Sequence, residues 1–136
     1  MPLEPKKTKF RKQQRRRNRG PASAGCELAF GTYGLQALEN GFLKTNQIEA
    51  ARKALTHYLK RGGKVWIRVL ADRPYTSRAA ETRMGGGKGM PVGFKASIKR
   101  GHIIFEITGI SREEAQAGFR LISYKLPLKM RMVERT

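Results

Sequence analysis

The chain has 136 residues, 29 of them Lys or Arg and 10 Asp or Glu, which gives a formal net charge of +19. Its length suits one domain. Hydrophobic residues at 39% together with 15 glycines are an ordinary supply for a packed core, which excludes wholesale disorder. So large a surplus of positive charge repels itself and points to a life against a polyanion.

The single cysteine, Cys26, excludes an internal disulfide and points to a reducing compartment. With only His57 and His102 beside it, the soft ligands are too few for structural zinc, so neither metal nor cofactor is expected. No run of ~20 apolar residues offers a membrane span, and the first twenty residues lack the apolar stretch of a secretory signal. Arg-rich and acid-poor, they share composition with organellar transit peptides, but the charge run is too dense for a good amphipathic helix. A cytoplasmic location is expected.

Residues 1–20 carry nine basic side chains and one acid, whereas residues 21–43 carry no Lys or Arg and two acids. The break at Gly20-Pro21 divides a basic arm, 1–20, from a single domain, 21–136. Lys6, Lys7, Lys9, Arg11, Lys12, Arg15, Arg16, Arg17 and Arg19 would repel one another if packed alone, so the arm is expected to order only on phosphates. Phe10 adds a group able to stack on a base.

Along the domain, Glu27–Phe30 and Leu35–Leu38 read as short strands around turn-forming Gly31 and Gly34. A helix is predicted over Asn46–Arg61, capped by Thr45 or Asn46, with Ile48, Ala51, Leu55, Tyr58 and Leu59 on one apolar stripe. Lys53, His57, Lys60 and Arg61 lie off that stripe and Arg52 on its border; Gly62-Gly63 stops the helix. Val65–Leu70 alternates as a strand, with Lys64, Trp66 and Arg68 sharing one face. Strands at Phe94–Ile98 and Ile103–Ile107 flank Lys99-Arg100-Gly101-His102, a hairpin by turn chemistry. Ser111 and Glu114 form a capping box for a second helix that presents Ala115, Phe119 and Ile122 to the core and is closed by Pro127. A last strand alternates Leu128, Met130 and Met132 with Lys129 and Arg131. Two helices among several short strands make an α+β two-layer sandwich.

Residues 73–91 read as one extended loop carrying Arg73, Arg78, Arg83 and Lys88 around Gly85, Gly86, Gly87 and Gly89. A P-loop would need G-x-x-x-x-G-K-[ST], but Thr82 stands at its first glycine and Gly89 follows Lys88. The dinucleotide fingerprint G-x-G-x-x-G fails as well. A loop of this length is functional or disordered; here it is expected to enter between RNA helices, with glycines allowing close approach and Arg78, Arg83 and Lys88 meeting phosphate. The ten acids are scattered, and Glu113 and Glu114 are explained by the helix start. A Cys–His nucleophile has nothing in its favour. A histone-like DNA binder also fits the charge, but no dimer heptad or helix-turn-helix signal accompanies it. A nucleic-acid enzyme is disfavoured by the dispersed acids.

Several runs resemble the bacterial-type large-subunit ribosomal protein L-sixteen (universal L-sixteen/ten-e) family. They are Lys6–Lys12 with Arg15–Gly20, Phe30-Gly31 with Tyr33–Leu38, Gln47–Arg52, Arg61–Arg68, Pro74 with Thr76, Glu81–Gly85, Gly87–Gly89, Phe105-Glu106 and Lys125–Pro127. The resemblance covers nearly the whole chain in order; Gly86 stands where the family often has Lys. It implies a hammerhead-type sandwich and a non-enzymatic part of the large ribosomal subunit. Such a protein would bind large-subunit (23S-type) rRNA and line the aminoacyl-site tRNA corridor, in reach of peptidyl-site tRNA and neighbouring ribosomal proteins. The implied rRNA contacts are Lys6, Lys7, Lys9, Phe10, Arg11, Lys12, Arg15, Arg16, Arg17, Arg19, Gln47, Arg52, Lys60, Arg61 and Lys64. The implied tRNA-facing loop residues are Arg78, Arg83, Met84 and Lys88.

Overall fold

Helix α1 (Thr45–Tyr58) buries Ile48, Ala51 and Leu55, and α2 (Arg112–Ser123) buries Ala115, Gly118, Phe119 and Ile122. These are the apolar stripes their spacing dictates. A Cβ on Gly118 would come within 2.9 Å of Leu55 Cδ1, so a residue without a side chain is what lets the two helices lie together. The computed structural model describes residues 4–135.

The strands form two antiparallel sheets. One has the order β3 (Lys64–Ile67), β6 (Ile103–Thr108), β1 (Tyr33–Ala37), β7 (Met130–Glu134); the other runs β2 (Gly41–Lys44), β5 (Met90–Ile98), β4 (Arg73–Ser77). Helix α1 packs on β2 and β5 and α2 on β1 and β7, and Leu35, Leu43, Ile98, Phe105 and Ile107 join the helical stripes in one core. This is the expected α+β sandwich.

The Ser111–Glu114 capping box forms as expected, the Glu114 N–H donating to Ser111 Oγ at 3.3 Å and the Ser111 N–H to Glu114 Oε2 at 3.4 Å. The start of α1 differs from expectation. Lys44, and not Thr45 or Asn46, precedes the helix, its N–H donating to Gln47 Oε1 at 3.0 Å, and Glu49 pairs with Arg52. The helix also ends earlier, because Lys60 and Arg61 take left-handed backbone (φ 51° and 62°) before Gly63 does. The second helix stops at Ser123, four residues ahead of Pro127.

Four larger expectations fail. Glu27–Phe30 is not a strand: the N–H groups of Ala29 and Phe30 donate to the buried Glu106 carboxylate (2.7 and 3.2 Å), so the segment lies as a strap over the outer face of the β1–β6 sheet. Gly31 and Gly34 make no turn there; a Cβ on Gly31 would sit 2.7 Å from the Ile107 carbonyl oxygen, and one on Gly34 would meet Leu28. Lys99–His102 is not a hairpin, since β5 and β6 belong to different sheets and these residues carry the chain between them. Residues 73–91 are not one open loop: β4 and β5 pair from Arg73↔Lys95 to Ser77↔Met90, leaving residues 78–89 as the tip. Pro74 hid β4, and its position on an edge strand is the place a strand tolerates proline. Strand β2 likewise escaped notice, and β3 closes at Ile67, short of Leu70.

Candidate nucleic-acid interface

Three cations stand side by side across the smaller sheet, because the register pairs Lys95 on β5 with Lys44 on β2 and with Arg73 on β4. Like charges directly opposite one another destabilise a sheet. Burial pushes the Lys95 ammonium below the ordinary lysine range, and the nearby charges of Arg73, Arg15 and Lys44 push it the same way. The Phe42 ring, 3.9 Å from Lys95 Nζ to its centroid, offsets part of that cost. Among the described residues, carboxylate ion pairs are made by Arg52, Arg68 and Arg112; this row has none.

The basic arm runs beside the same hairpin. Arg73 Nη1 donates to the Arg15 carbonyl oxygen at 2.9 Å, Lys12 Nζ to that of Lys88 at 3.1 Å, and Lys88 Nζ to that of Gln13. Arg15, Arg73, Arg78, Lys88 and Lys95 thus line one open cleft with Gln14, Tyr75 and Ser77. A second hollow sets Lys9, Phe10, Arg11 and Lys12 beside Met90 and Pro91. Near its end the arm is tied to the domain: Asn18 Nδ2 donates to the carbonyls of Gly41 (2.9 Å) and Ile98 (2.8 Å). Lys6, Lys7, Arg16, Arg17 and Arg19 are exposed, as is Phe10.

At the hairpin tip, Gly85, Gly86 and Gly87 have φ of 99°, 80° and 84° with nothing within 4 Å of a Cβ, a conformation L side chains resist. Gly89 serves close approach instead, since a Cβ there would lie 2.6 Å from the Ser77 carbonyl oxygen. Arg78 reaches back to the Gly87 carbonyl. Arg83 and Met84 are exposed, Met84 completely.

A separate basic surface lies at the end of α1. Arg52, Lys53, His57, Lys60 and Arg61 line one hollow, and Arg52, Arg61, Lys64 and Trp66 line its neighbour. The paired left-handed residues Lys60 and Arg61 are a costly way to end a helix, the kind of strain that collects at functional surfaces. Arg52 is partly engaged: it clamps Glu49, whose carboxyl it holds below the usual range chiefly by hydrogen bonding. Gln47, expected at the RNA, has its side-chain oxygen committed to the Lys44 N–H.

Apart from Gln47, which sits in the first turn of α1, the expected site residues fall on two surfaces, one joining arm and hairpin and one at the end of α1. Lys95, Lys44 and Arg73 were absent from the expected contacts because strand register brings them together. The only signal was composition: a lysine inside the expected strand Phe94–Ile98, and a lysine and an arginine in strands β2 and β4, which had not been recognised.

A polycationic α+β sandwich of this kind, with its charge gathered on an arm, a hairpin and a helix end, belongs to the class of proteins built to sit against a polyanion. Residues 5–133 match the family described as ribosomal protein L16p/L10e. The chain is 56% identical over 133 residues to the large ribosomal subunit protein uL16 of Trichodesmium erythraeum, a match covering 98% of this chain and 97% of that one. It is equally identical to the uL16c proteins of Porphyra purpurea (98% and 96% covered) and Gracilaria tenuistipitata (96% and 97%). The chain belongs to the ribosomal protein L16p/L10e family. It is a structural ribosomal protein and not an enzyme.

Proposed function

We propose that this protein is a constituent of the large ribosomal subunit that binds large-subunit rRNA through the arm, the β4–β5 hairpin and the end of α1, beside neighbouring ribosomal proteins. The observation that carries this reading is the unneutralised row Lys44–Lys95–Arg73 with Arg15 beside it. Phosphodiester groups supply the missing anions and relieve the like-charge repulsion. Affinity then comes from phosphate neutralisation and position from RNA shape. In the same reading the hairpin tip, with Arg78, Arg83, Met84 and Lys88, faces the aminoacyl-site tRNA corridor.

Titration of binding to large-subunit rRNA tests the first part. With about 6–10 phosphates neutralised, affinity falls roughly 10³–10⁵-fold between 50 and 200 mM salt, and a flat response rejects it. The tip is tested by Arg83→Ala: particles assemble at normal yield but translate more slowly. Failure of assembly with that single change overturns the tip assignment.

A further inference from the structure

Phe30 is 58% exposed although it is held in place from three sides. Its ring stacks on Trp66 with centroids 5.9 Å apart and planes inclined by 22°. Arg68 lies 5.5 Å from the Phe30 centroid and Lys64 Nζ lies 5.3 Å from that of Trp66. Beneath them Glu106, fully buried, accepts the Ala29 and Phe30 N–H groups and pairs with Arg68 at 3.3 Å, while Arg68 also donates to the Glu27 carbonyl at 3.2 Å.

A buried carboxylate is costly unless its lone pairs are filled. Here that expense goes into fixing a strap whose terminal ring faces solvent. A phenylalanine serving only the core would be turned inward, where burial of its apolar surface would stabilise the fold. Held as it is, the ring is a preorganised flat apolar surface with a cation at either end of the stack.

We propose that the Phe30–Trp66 stack, flanked by Lys64 and Arg68, receives one unpaired RNA nucleobase. The base lies against the exposed part of the Phe30 ring, and Lys64 meets its phosphate, Arg68 being held by Glu106. Charge complementarity selects RNA over a protein partner: Lys64 beside the aromatic surface has no carboxylate partner among the described residues, and the nearest carboxylate is buried and already paired with Arg68. The proposal rests on the reading of this chain as an RNA-binding protein, and adds to phosphate contact a place where a base is recognised by its π face.

Trp66 is the sole tryptophan of the chain, so its fluorescence reports on the stack directly. The full chain is titrated with a short oligoadenylate and with an abasic ribose-phosphate strand of equal length. The oligoadenylate is expected to perturb Trp66 emission saturably and to bind roughly 5- to 100-fold more tightly than the abasic strand, the range a single base–aromatic stack supplies. Phe30→Leu, which keeps apolar bulk but removes the ring, abolishes that preference, and Phe30→Tyr retains it.

Equal binding of both strands without emission change overturns the stacking site while leaving phosphate-based RNA binding standing. Binding of neither strand overturns both. The comparison of strands on the unaltered chain decides the matter even where Phe30→Leu does not fold.

Discussion

Phe30 and Glu106 are 76 positions apart in the chain, yet the backbone N–H of one donates to the carboxylate of the other at 3.2 Å. That bond, its neighbour from Ala29 and the ion pair to Arg68 fill the acceptor positions of a side chain with no solvent exposure. Removing Glu106 leaves two N–H groups and a guanidinium without their partner. Glu106→Ala is expected to lower stability by about 3–5 kcal/mol, as loss of one member of a buried pair does. Chemical denaturation measures the loss, and amide exchange at Ala29 and Phe30 rises further than at Leu55. Unchanged exchange at those two amides contradicts the strap.

Asn18 is the point at which the arm becomes part of the domain. Its side-chain amide spans the ends of β2 and β5 through the carbonyls of Gly41 and Ile98. Removing residues 1–14 is expected to leave the melting transition cooperative and unshifted while weakening rRNA binding, because the described side chains there are exposed apart from a half-buried Pro5. Asn18→Ala should cost about 1–3 kcal/mol by leaving carbonyls unpaired. Equal stability of the two variants would argue against this anchor.

Lys95 carries a charge that its own surroundings disfavour. Burial and three neighbouring cations disfavour its charged form, so the free protein is relieved when the charge goes. Lys95→Met is expected to melt at the same or higher temperature than the unaltered chain, to bind rRNA more weakly and to reduce the salt slope by about one. Since a bound phosphate raises the Lys95 pKa, RNA binding takes up a proton at alkaline pH and weakens as pH rises, an effect absent in the variant. Calorimetry in buffers of different ionisation enthalpy reads the uptake.

His102 sets an acid limit on stability. Burial lowers its pKa, against a hydrogen bond to the Arg68 backbone that raises it; the Arg68 charge lowers it further. The unfolded chain, with an ordinary value of about 6.5, therefore takes the proton first as pH falls. The contribution to stability is whole above that value and is lost as pH drops towards the folded-state pKa. Melting temperature should decline as pH falls below about 6.5, and His102→Gln should flatten the decline.

Helix α2 and the core strands β1 and β6 were legible because short-range rules govern them: 3.6-residue spacing, the Ser111–Glu114 box, the short apolar run Ile103–Ile107. What stayed hidden depends on partners distant in the chain. The backbone of Glu27–Phe30 has strand-like composition, but its hydrogen bonds go to a side chain 77 positions from Ala29. Pro74 and the following polar residues resemble loop until β5 supplies a neighbour. The same holds for the interface. Arm and tip cations are visible as charge runs, whereas the row Lys44–Lys95–Arg73 exists only through register, and the exposure of Phe30 only through Glu106.

Strand β5 is continuous from Met90, near the tip, to Ile98 in the core, and Lys95 lies between them. Its pairing with β4 steps from Tyr75↔Gly93 to Thr76↔Pro91, so β5 carries one extra residue, Val92, beside Gly93, where a Cβ would touch the Tyr75 ring. The same strand is thus anchored beneath α1 and carries the one irregularity of the hairpin. Any load on the glycine tip passes along β5 to its buried end, so the hairpin acts as a cantilever whose root is the core itself.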